Sequence, residues 1–347
     1  MDKEKIYIVS WNGVSDSGGV ERITYYMLQA WKDIYDVRII DLEQIRKKNI
    51  YGRFLGKHYV LDALLVSIYI NRLKDKGKVK IVTQGFNAPY VDADLYFAHG
   101  TMRGYKLAVQ KDSKWHFNQY FEKRAAKRAK RIIAVGNHVK GELNELYDVN
   151  EAKITVLENC IDTDEFVPVN MEKKDTRVIR ILFAGRLEIR KGLNEVIELA
   201  EYLEDKSDIE LLIATNSDEN VELFGRFKNT KIQVGLKRHE MNAFYNSGDV
   251  MFFPSLYEGF ELVTLEALSA GVPVMGNDVG AISDLYKRGQ SGVELLGGGI
   301  KESVSNMIEL AVQFRNYQRK LNLHEDMVEN YNFNSYIGNL RDLWRHT

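Results

Sequence analysis

The run Pro254-Ser255-Leu256-Tyr257-Glu258-Gly259-Phe260-Glu261-Leu262-Val263-Thr264-Leu265-Glu266-Ala267, continuing to Gly271-Val272-Pro273-Val274, sets a glycine-containing turn between an apolar strand and a helix. The strand is Asp249-Val250-Met251-Phe252-Phe253, and the helix closes at Gly271 with Pro273 beyond it. One carboxylate, Glu258, stands on the turn and a second, Glu266, lies within the helix. Backbone N–H groups of such a turn can receive an anion, and the two carboxylates can accept hydroxyl groups on either side of it. The spacing has no meaning by itself. With 27 glutamates in 347 residues, chance alone supplies about two pairs eight apart. The strand, turn and helix around the pair give it weight.

Working outward, the same strand–loop–helix unit recurs along the chain. The first segment, Ile6-Tyr7-Ile8-Val9-Ser10, reads as a buried strand. It enters a loop from Asn12 to Ser17, then Gly18-Gly19-Val20-Glu21, after which Ile23, Met27, Leu28 and Trp31 recur at helical spacing. Further strands are expected at Val37–Ile40, Val79–Val82, Leu95–Ala98, Ile132–Val135 and Ile154–Leu157, with helical patterns between most of them. After a charged, turn-prone stretch from Pro168 to Arg177 the pattern restarts at Ile179–Ala184, Gly185-Arg186 and a helix over about 193–204. Strands at Glu210–Ile213, Ile232–Val234, Val250–Phe253 and Val272–Met275 complete a second parallel sheet, and Ile300 to Trp344 reads as helical. The expectation is an α/β chain of two Rossmann-like doubly wound domains, 1–168 and 169–330, with residues 331–347 returning to the first. Open α/β sheets bind ligands at their strand ends, so the expected site is a cleft where the two halves face one another.

The opening stretch resembles the signature of the retaining glycosyltransferases of family 4, which have the GT-B architecture. Glu258 and Glu266 match the family's two acids, while Glu261 replaces the usual last glycine of the turn. Gly185-Arg186-Leu187-Glu188-Ile189-Arg190-Lys191-Gly192 agrees with the resemblance as well. Two cations five residues apart on a strand-to-helix loop can converge on one diphosphate, and the family uses an Arg and a Lys there, matched by Arg186 and Lys191. The resemblance implies that Glu258 contacts the transferring sugar and that Glu266 holds the ribose of the nucleotide. It places His99, at the end of Tyr96-Phe97-Ala98, beside the donor sugar, although Gln84, one strand earlier, stands where a His is frequent. Gly18, Gly19, Gly185, Thr215, Leu236, Gly259, Phe260, Leu262 and Val263 are expected to line the nucleotide sugar together with Glu261 and Glu266. For Glu261 the expectation is a negative φ, with the carboxylate either facing the donor or capping the helix that follows.

Composition sets the outer bounds. A chain of 347 residues, 45% apolar and 28% charged, suits two soluble domains. One cysteine, Cys160, excludes an internal disulfide framework and favours a reducing compartment. The N-terminus carries no visible signal peptide, and the apolar run Tyr59 to Ile70, interrupted by Asp62 and Ser67, is too short to span a bilayer. The expected location is therefore cytoplasmic. Residues 1–168 carry 27 basic against 22 acidic side chains and residues 169–347 carry 21 against 27, which hints at an anionic partner for the first half. The basic run Lys123–Arg131 reads as a solvated helix face, or as a peripheral contact with anionic lipid on the inner face of the cell membrane. Two Asp-x-Asp triplets, Asp92–Asp94 and Asp162–Asp164, are no more than chance supplies, so no metal site is expected.

These readings converge on an expected activity. A hexose or N-acetylhexosamine would pass from a nucleotide diphosphate sugar, UDP being favoured, to the hydroxyl of a saccharide, glycolipid or glycoprotein acceptor. The resemblance implies retention of configuration, no metal and no cofactor beyond the donor itself, in bacterial surface polysaccharide or glycolipid synthesis; no nucleic acid is expected. Two rivals remain: an epimerase or phosphorylase on the same fold, and a non-catalytic partner subunit of a two-component transferase. Glu261, Cys160 and Gly136, each a departure from the family pattern, motivate the second.

Overall fold

The computed structural model describes residues 3–14, 18–48, 59–74, 79–109, 116–170 and 178–344. It divides into two compact units, Met1–Asn159 with Asn334–Thr347, and Cys160–Phe333. The first division thus falls ahead of the charged stretch Pro168 to Arg177, of which 171–177 lie outside the described residues.

In the first unit β1 (Lys5–Val9), β2 (Asp36–Ile40), β3 (Val79–Gln84), β4 (Leu95–Ala98), β5 (Arg131–Ala134) and β6 (Ile154–Val156) form one parallel sheet in the order β2-β1-β3-β4-β5-β6. Strands covered on both faces carry continuous apolar runs rather than alternation, as Leu95–Ala98 does with all four residues buried. Helix α1 (Gly19–Trp31) is amphipathic and buries Ile23, Tyr26, Met27, Ala30 and Trp31. Helices α2 (Leu42–Lys48) and α3 (Tyr59–Lys74) follow. The apolar run from Tyr59 to Ile70 belongs to α3, and its Asp62 is buried but paired with Arg46, whose Nε donates to Oδ1 at 3.0 Å. No helix among the described residues is long and apolar enough to cross a membrane. Helices α4 (Met102–Val109), α5 (His116–Arg128) and α6 (Asn137–Tyr147) complete this part. The basic run therefore divides: α5 ends at Arg128, and Arg131 already opens β5.

The second unit holds β7 (Ile179–Ala184), β8 (Ile209–Thr215), β9 (Thr230–Val234), β10 (Val250–Phe253), β11 (Val274–Gly276) and β12 (Val293–Leu295), ordered β12-β11-β10-β7-β8-β9 and parallel throughout. Around them lie α7 (Leu193–Tyr202), α8 (Arg238–Ser247), α9 (Leu262–Ser269), α10 (Gly280–Lys287), α11 (Ile300–Gln313) and α12 (Tyr317–Tyr331). Strand β12 was not expected. It is three residues long and too short to show a period. The chain fills one side of this sheet from β7 through β9, then returns to the other side of β7 with β10. The order therefore reverses between β7 and β10, and the loops that leave those two strands share the switch point.

The last helix, α13 (Phe333–Asp342), begins after Asn332 and packs within the first unit. Trp31 Nε1 donates to Leu340 O at 3.1 Å and Arg341 Nε to Ala30 O at 2.9 Å, while the Trp31 and Trp344 rings lie 5.6 Å apart.

Candidate active site

Strand β7 delivers Gly185, after which Arg186 to Lys191 form a loop ending in a single 3₁₀ turn, Ile189–Lys191. Gly192 follows with φ +83° and starts α7. A Cβ on Gly192 would stand 2.5 Å from the Pro254 carbonyl oxygen, so only glycine lets this loop lie against the turn that leaves β10. That close approach sets the site. Leu256 N donates to Arg190 O at 2.8 Å, joining the two loops backbone to backbone.

Glu258 is buried on the second loop, and its Oε1 meets Lys191 Nζ at 2.7 Å and Arg190 Nη1 at 2.8 Å. Arg190 also reaches Tyr257 O at 3.1 Å and Glu188 Oε1 at 3.0 Å. Burial works against its charge, but Glu258 and Glu188 more than offset this and raise the guanidinium above its ordinary value. Arg186 lies elsewhere: its side chain is 53% exposed and pairs with Glu188 at 3.1 Å. Of the two expected phosphate cations, Lys191 is the one drawn to Glu258. Sequence reasoning passed over Arg190, because loop spacing alone does not tell which arginine a 3₁₀ turn will face inward.

Glu266 is buried in α9 and accepts a hydrogen bond from the fully buried Tyr245 hydroxyl at 2.8 Å. Tyr245 is wedged against Phe166 and Phe244, so it fixes the Glu266 carboxylate from behind. Removing that hydroxyl with Tyr245→Phe should raise the KM for the donor about five- to tenfold with little change in kcat, the loss of one hydrogen bond to a charged group. An unchanged KM in steady-state kinetics would show that Glu266 holds no donor group.

Glu261 has the negative φ expected of it, −75°, but its carboxylate takes neither expected position. It turns to the start of α10, where Ala281 N donates to Oε2 at 2.9 Å and Ile282 N to Oε1 at 3.3 Å. Thr264 Oγ1 donates to Oε1 at 2.7 Å. Glu261 thus caps a helix twenty residues further on, not its own. Burial, with the nearby Glu258 charge, pushes this carboxyl up to about 7. Gly259, Phe260 and Leu262 are buried and Val263 half-buried, with the Phe260 ring directed to Tyr331 at 6.3 Å. The N–H groups around Gly259 to Val263 lie at the α9 N-terminus, where an anion is favoured. At the neighbouring strand ends Thr215 is buried and Leu236 half-buried, and Gly235 N donates to Thr215 O at 2.8 Å.

In the first unit Gly18 caps α1 in extended conformation and Gly19 faces open space, while 15–17 of the preceding loop lie outside the described residues. His99 is half-buried, and its Nε2 shares a short hydrogen bond with Gln84 Oε1. Burial pushes the imidazole down to about 4, so His99 is neutral at physiological pH. Raising the pH from 5 to 8 should therefore produce no activity limb that disappears in His99→Asn. Such a limb in the pH–rate profile would show that His99 titrates.

Just beyond His99, Met102 N donates to buried Glu122 at 2.7 Å, and the Tyr147 hydroxyl makes a short hydrogen bond to the same carboxyl oxygen. Burial pushes Glu122 up to about 8. Of the two acidic triplets, Asp92 pairs with Arg128 at 2.8 Å and Asp94 with Lys130 at 2.7 Å, while Asp162 caps a 3₁₀ turn. Most of the basic run is engaged as well. Lys127 meets Asp148 at 2.9 Å, Arg124 lies over the Tyr90 ring, and Arg131 Nε donates to Thr155 at 3.1 Å.

The comparisons fit this geometry. The family described as glycosyl transferases group 1 matches residues 167–325, and glycosyltransferase family 4 matches residues 17–165. The chain belongs to the group 1 glycosyltransferases. It is 28% identical over 225 residues to the capsular polysaccharide biosynthesis glycosyltransferase CapM of Staphylococcus aureus, covering 60% of this chain and 59% of that one. The chain spans about half the length of the curated relatives it matches. Among solved structures, sucrose-phosphate synthase from Thermosynechococcus elongatus superposes with a TM-score of 0.79 at 16% identity, over 99% of each chain. Anabaena HepE in complex with UDP-glucose superposes with a TM-score of 0.73 at 13% identity, over 99% of this chain and all of that one. At these identities the likeness is one of fold, and the fold is GT-B.

Proposed function

We propose that this glycosyltransferase moves a hexose or N-acetylhexosamine from a nucleotide diphosphate sugar, UDP the favoured nucleotide, to an acceptor hydroxyl with retention of configuration. The observation that carries the reading is the pairing of Glu258 with Lys191 at the switch point of the second sheet, beside the α9 N-terminus. The transition state places positive charge on the sugar ring and negative charge on the departing diphosphate. Lys191, Arg186 and the turn amides meet the second charge, and Glu258 accepts hydroxyls of the sugar. Glu266, held by Tyr245, accepts the ribose hydroxyls. The acceptor hydroxyl attacks from the face the diphosphate leaves, and a phosphate oxygen takes its proton. No metal and no further cofactor enter this scheme.

UDP-glucose in the HepE complex supports the choice of donor class, and the capsular polysaccharide role of CapM supports a bacterial saccharide, glycolipid or glycoprotein acceptor. Peripheral attachment to an anionic membrane would draw on half-buried Lys123 and on exposed Phe117 and Tyr120 of α5.

The test is a thermal-shift panel of UDP, ADP and GDP followed by assay of the matching sugar nucleotides with and without acceptor. UDP at 100 times its Kd should stabilise the protein by about 2.7 kcal/mol. Turnover that needs no acceptor would favour an epimerase. Binding without any turnover would favour a non-catalytic subunit.

A further inference from the structure

Arg190 has no part in the family resemblance, yet its guanidinium is held by three acceptors on the two site loops. Its guanidinium holds Glu258 Oε1, Tyr257 O and Glu188 Oε1 at 2.8, 3.1 and 3.0 Å, and its carbonyl receives Leu256 N. Lys191 is tied less tightly. Glu258 is the one ion pair the structure gives it among the described residues, and its ammonium otherwise lies over the Phe253 ring at 5.6 Å. Two cations thus share one carboxylate oxygen in a site where Arg190, Lys191 and Glu258 side chains are only 20%, 14% and 9% exposed.

The bookkeeping of charge decides what each cation can do. If Glu258 faced Lys191 alone, the two would form a closed neutral pair, and drawing Lys191 toward a diphosphate would strand a buried carboxylate. With Arg190 in place, Glu258 keeps a partner when Lys191 moves. Arg190 cannot follow, because its planar fork is held by three acceptors at once.

We propose that Arg190 is a positioning residue that retains Glu258, so that Lys191 is released to the diphosphate of an incoming nucleotide. The inference rests on the nucleotide-sugar reading of this site. Lys191 would then exchange a carboxylate for a phosphate oxygen within the reach of one side chain, while Glu258 stays oriented toward the sugar.

The experiment is titration calorimetry with UDP, and with ADP and GDP in parallel, on the unsubstituted protein, Arg190→Ala, Glu258→Gln and the double variant. Arg190→Ala should weaken binding of the preferred nucleotide about tenfold, because Lys191 is then committed to Glu258. Neutralising Glu258 in the double variant should restore affinity to within about threefold of Glu258→Gln alone. Affinity that stays as weak in the double variant as in Arg190→Ala would overturn the proposal and leave Arg190 a scaffold residue. Wild-type affinity in Arg190→Ala would overturn it as well. If melting shows that Arg190→Ala does not fold, Arg190→Gln with and without Glu258→Gln makes the same comparison. An unsubstituted protein that binds none of the three nucleotides would overturn the nucleotide reading itself, and this inference with it.

Discussion

Lys191→Ala should lower turnover by about 10²–10³ while leaving the melting temperature within about two degrees of the parent protein. The loss is large because Lys191 is mostly buried and, in the proposed reaction, meets the charge that gathers on the departing diphosphate. Folding should suffer little, since Glu258 retains Arg190 when the ammonium is gone. Arg186→Ala is the comparison. Its guanidinium is half exposed and pairs with Glu188, so solvent screens what it adds and the expected loss is only about tenfold. Single-turnover rates with saturating donor separate the two. Equal losses would mean that Arg186 turns inward when donor binds, and near-parental turnover in Lys191→Ala would remove it from the chemistry.

The second large effect concerns Gly280. A Cβ there would lie 2.0 Å from Glu261 Oε2 and 2.7 Å from Glu258 Cβ, and the residue has φ +57°. Gly280→Ala should therefore push Glu261 off the amides of Ala281 and Ile282, at a cost of about 2 kcal/mol, or roughly 4–8 °C in melting temperature. Adding Glu261→Gly removes the obstructing carboxylate, and the double variant should melt above Gly280→Ala alone. No recovery would show that the strain lies in the backbone and not in the contact with Glu261.

The same carboxyl makes a pH prediction. Its folded value of about 7 lies above the ordinary 4.5, so the folded state holds the proton more tightly between these limits. Its contribution to stability is complete below about pH 4.5 and is lost as pH rises through 7. Glu122, raised to about 8, acts in the same direction, so the difference between the parent and Glu261→Gln isolates the Glu261 part. That difference in melting temperature should grow between pH 5 and 8. A difference independent of pH would mean that Glu261 is already ionised at pH 5.

Much of this was legible in the chain because every strand but β12 announced itself as a short stretch rich in apolar residues, and each site loop followed one. Val250–Phe253 and Ile179–Ala184 could be seen to end in glycine-bearing loops, and the family resemblance, not the spacing, singled out Glu258, Glu266 and Lys191 there. Nothing in the spacing disclosed Arg190. Its inward direction follows from the 3₁₀ turn at Ile189–Lys191 and the αL glycine after it, which are conformations and not residue patterns. Glu261 was marked as unusual, but the amides that receive it lie twenty residues away on another helix, beyond any local rule. Strand β12 was too short to show a period, and Tyr245 was one aromatic among nineteen tyrosines until its hydroxyl could be seen to meet Glu266.

The bond from Trp31 to Leu340 joins residues 309 positions apart. On a ribosome adding about 5–20 residues per second, the α1 indole waits roughly 15–60 s for its acceptor. Throughout that interval the second unit can emerge and close, while the first stands with the groove for α13 open and Trp31 unsealed. The amino-terminal unit is thus the last to be finished, although it is the first to be made. Moving residues 334–347 to the front of the chain would invert that order. Pulse-labelled synthesis followed by proteolysis should then show the first unit becoming resistant before the second is complete.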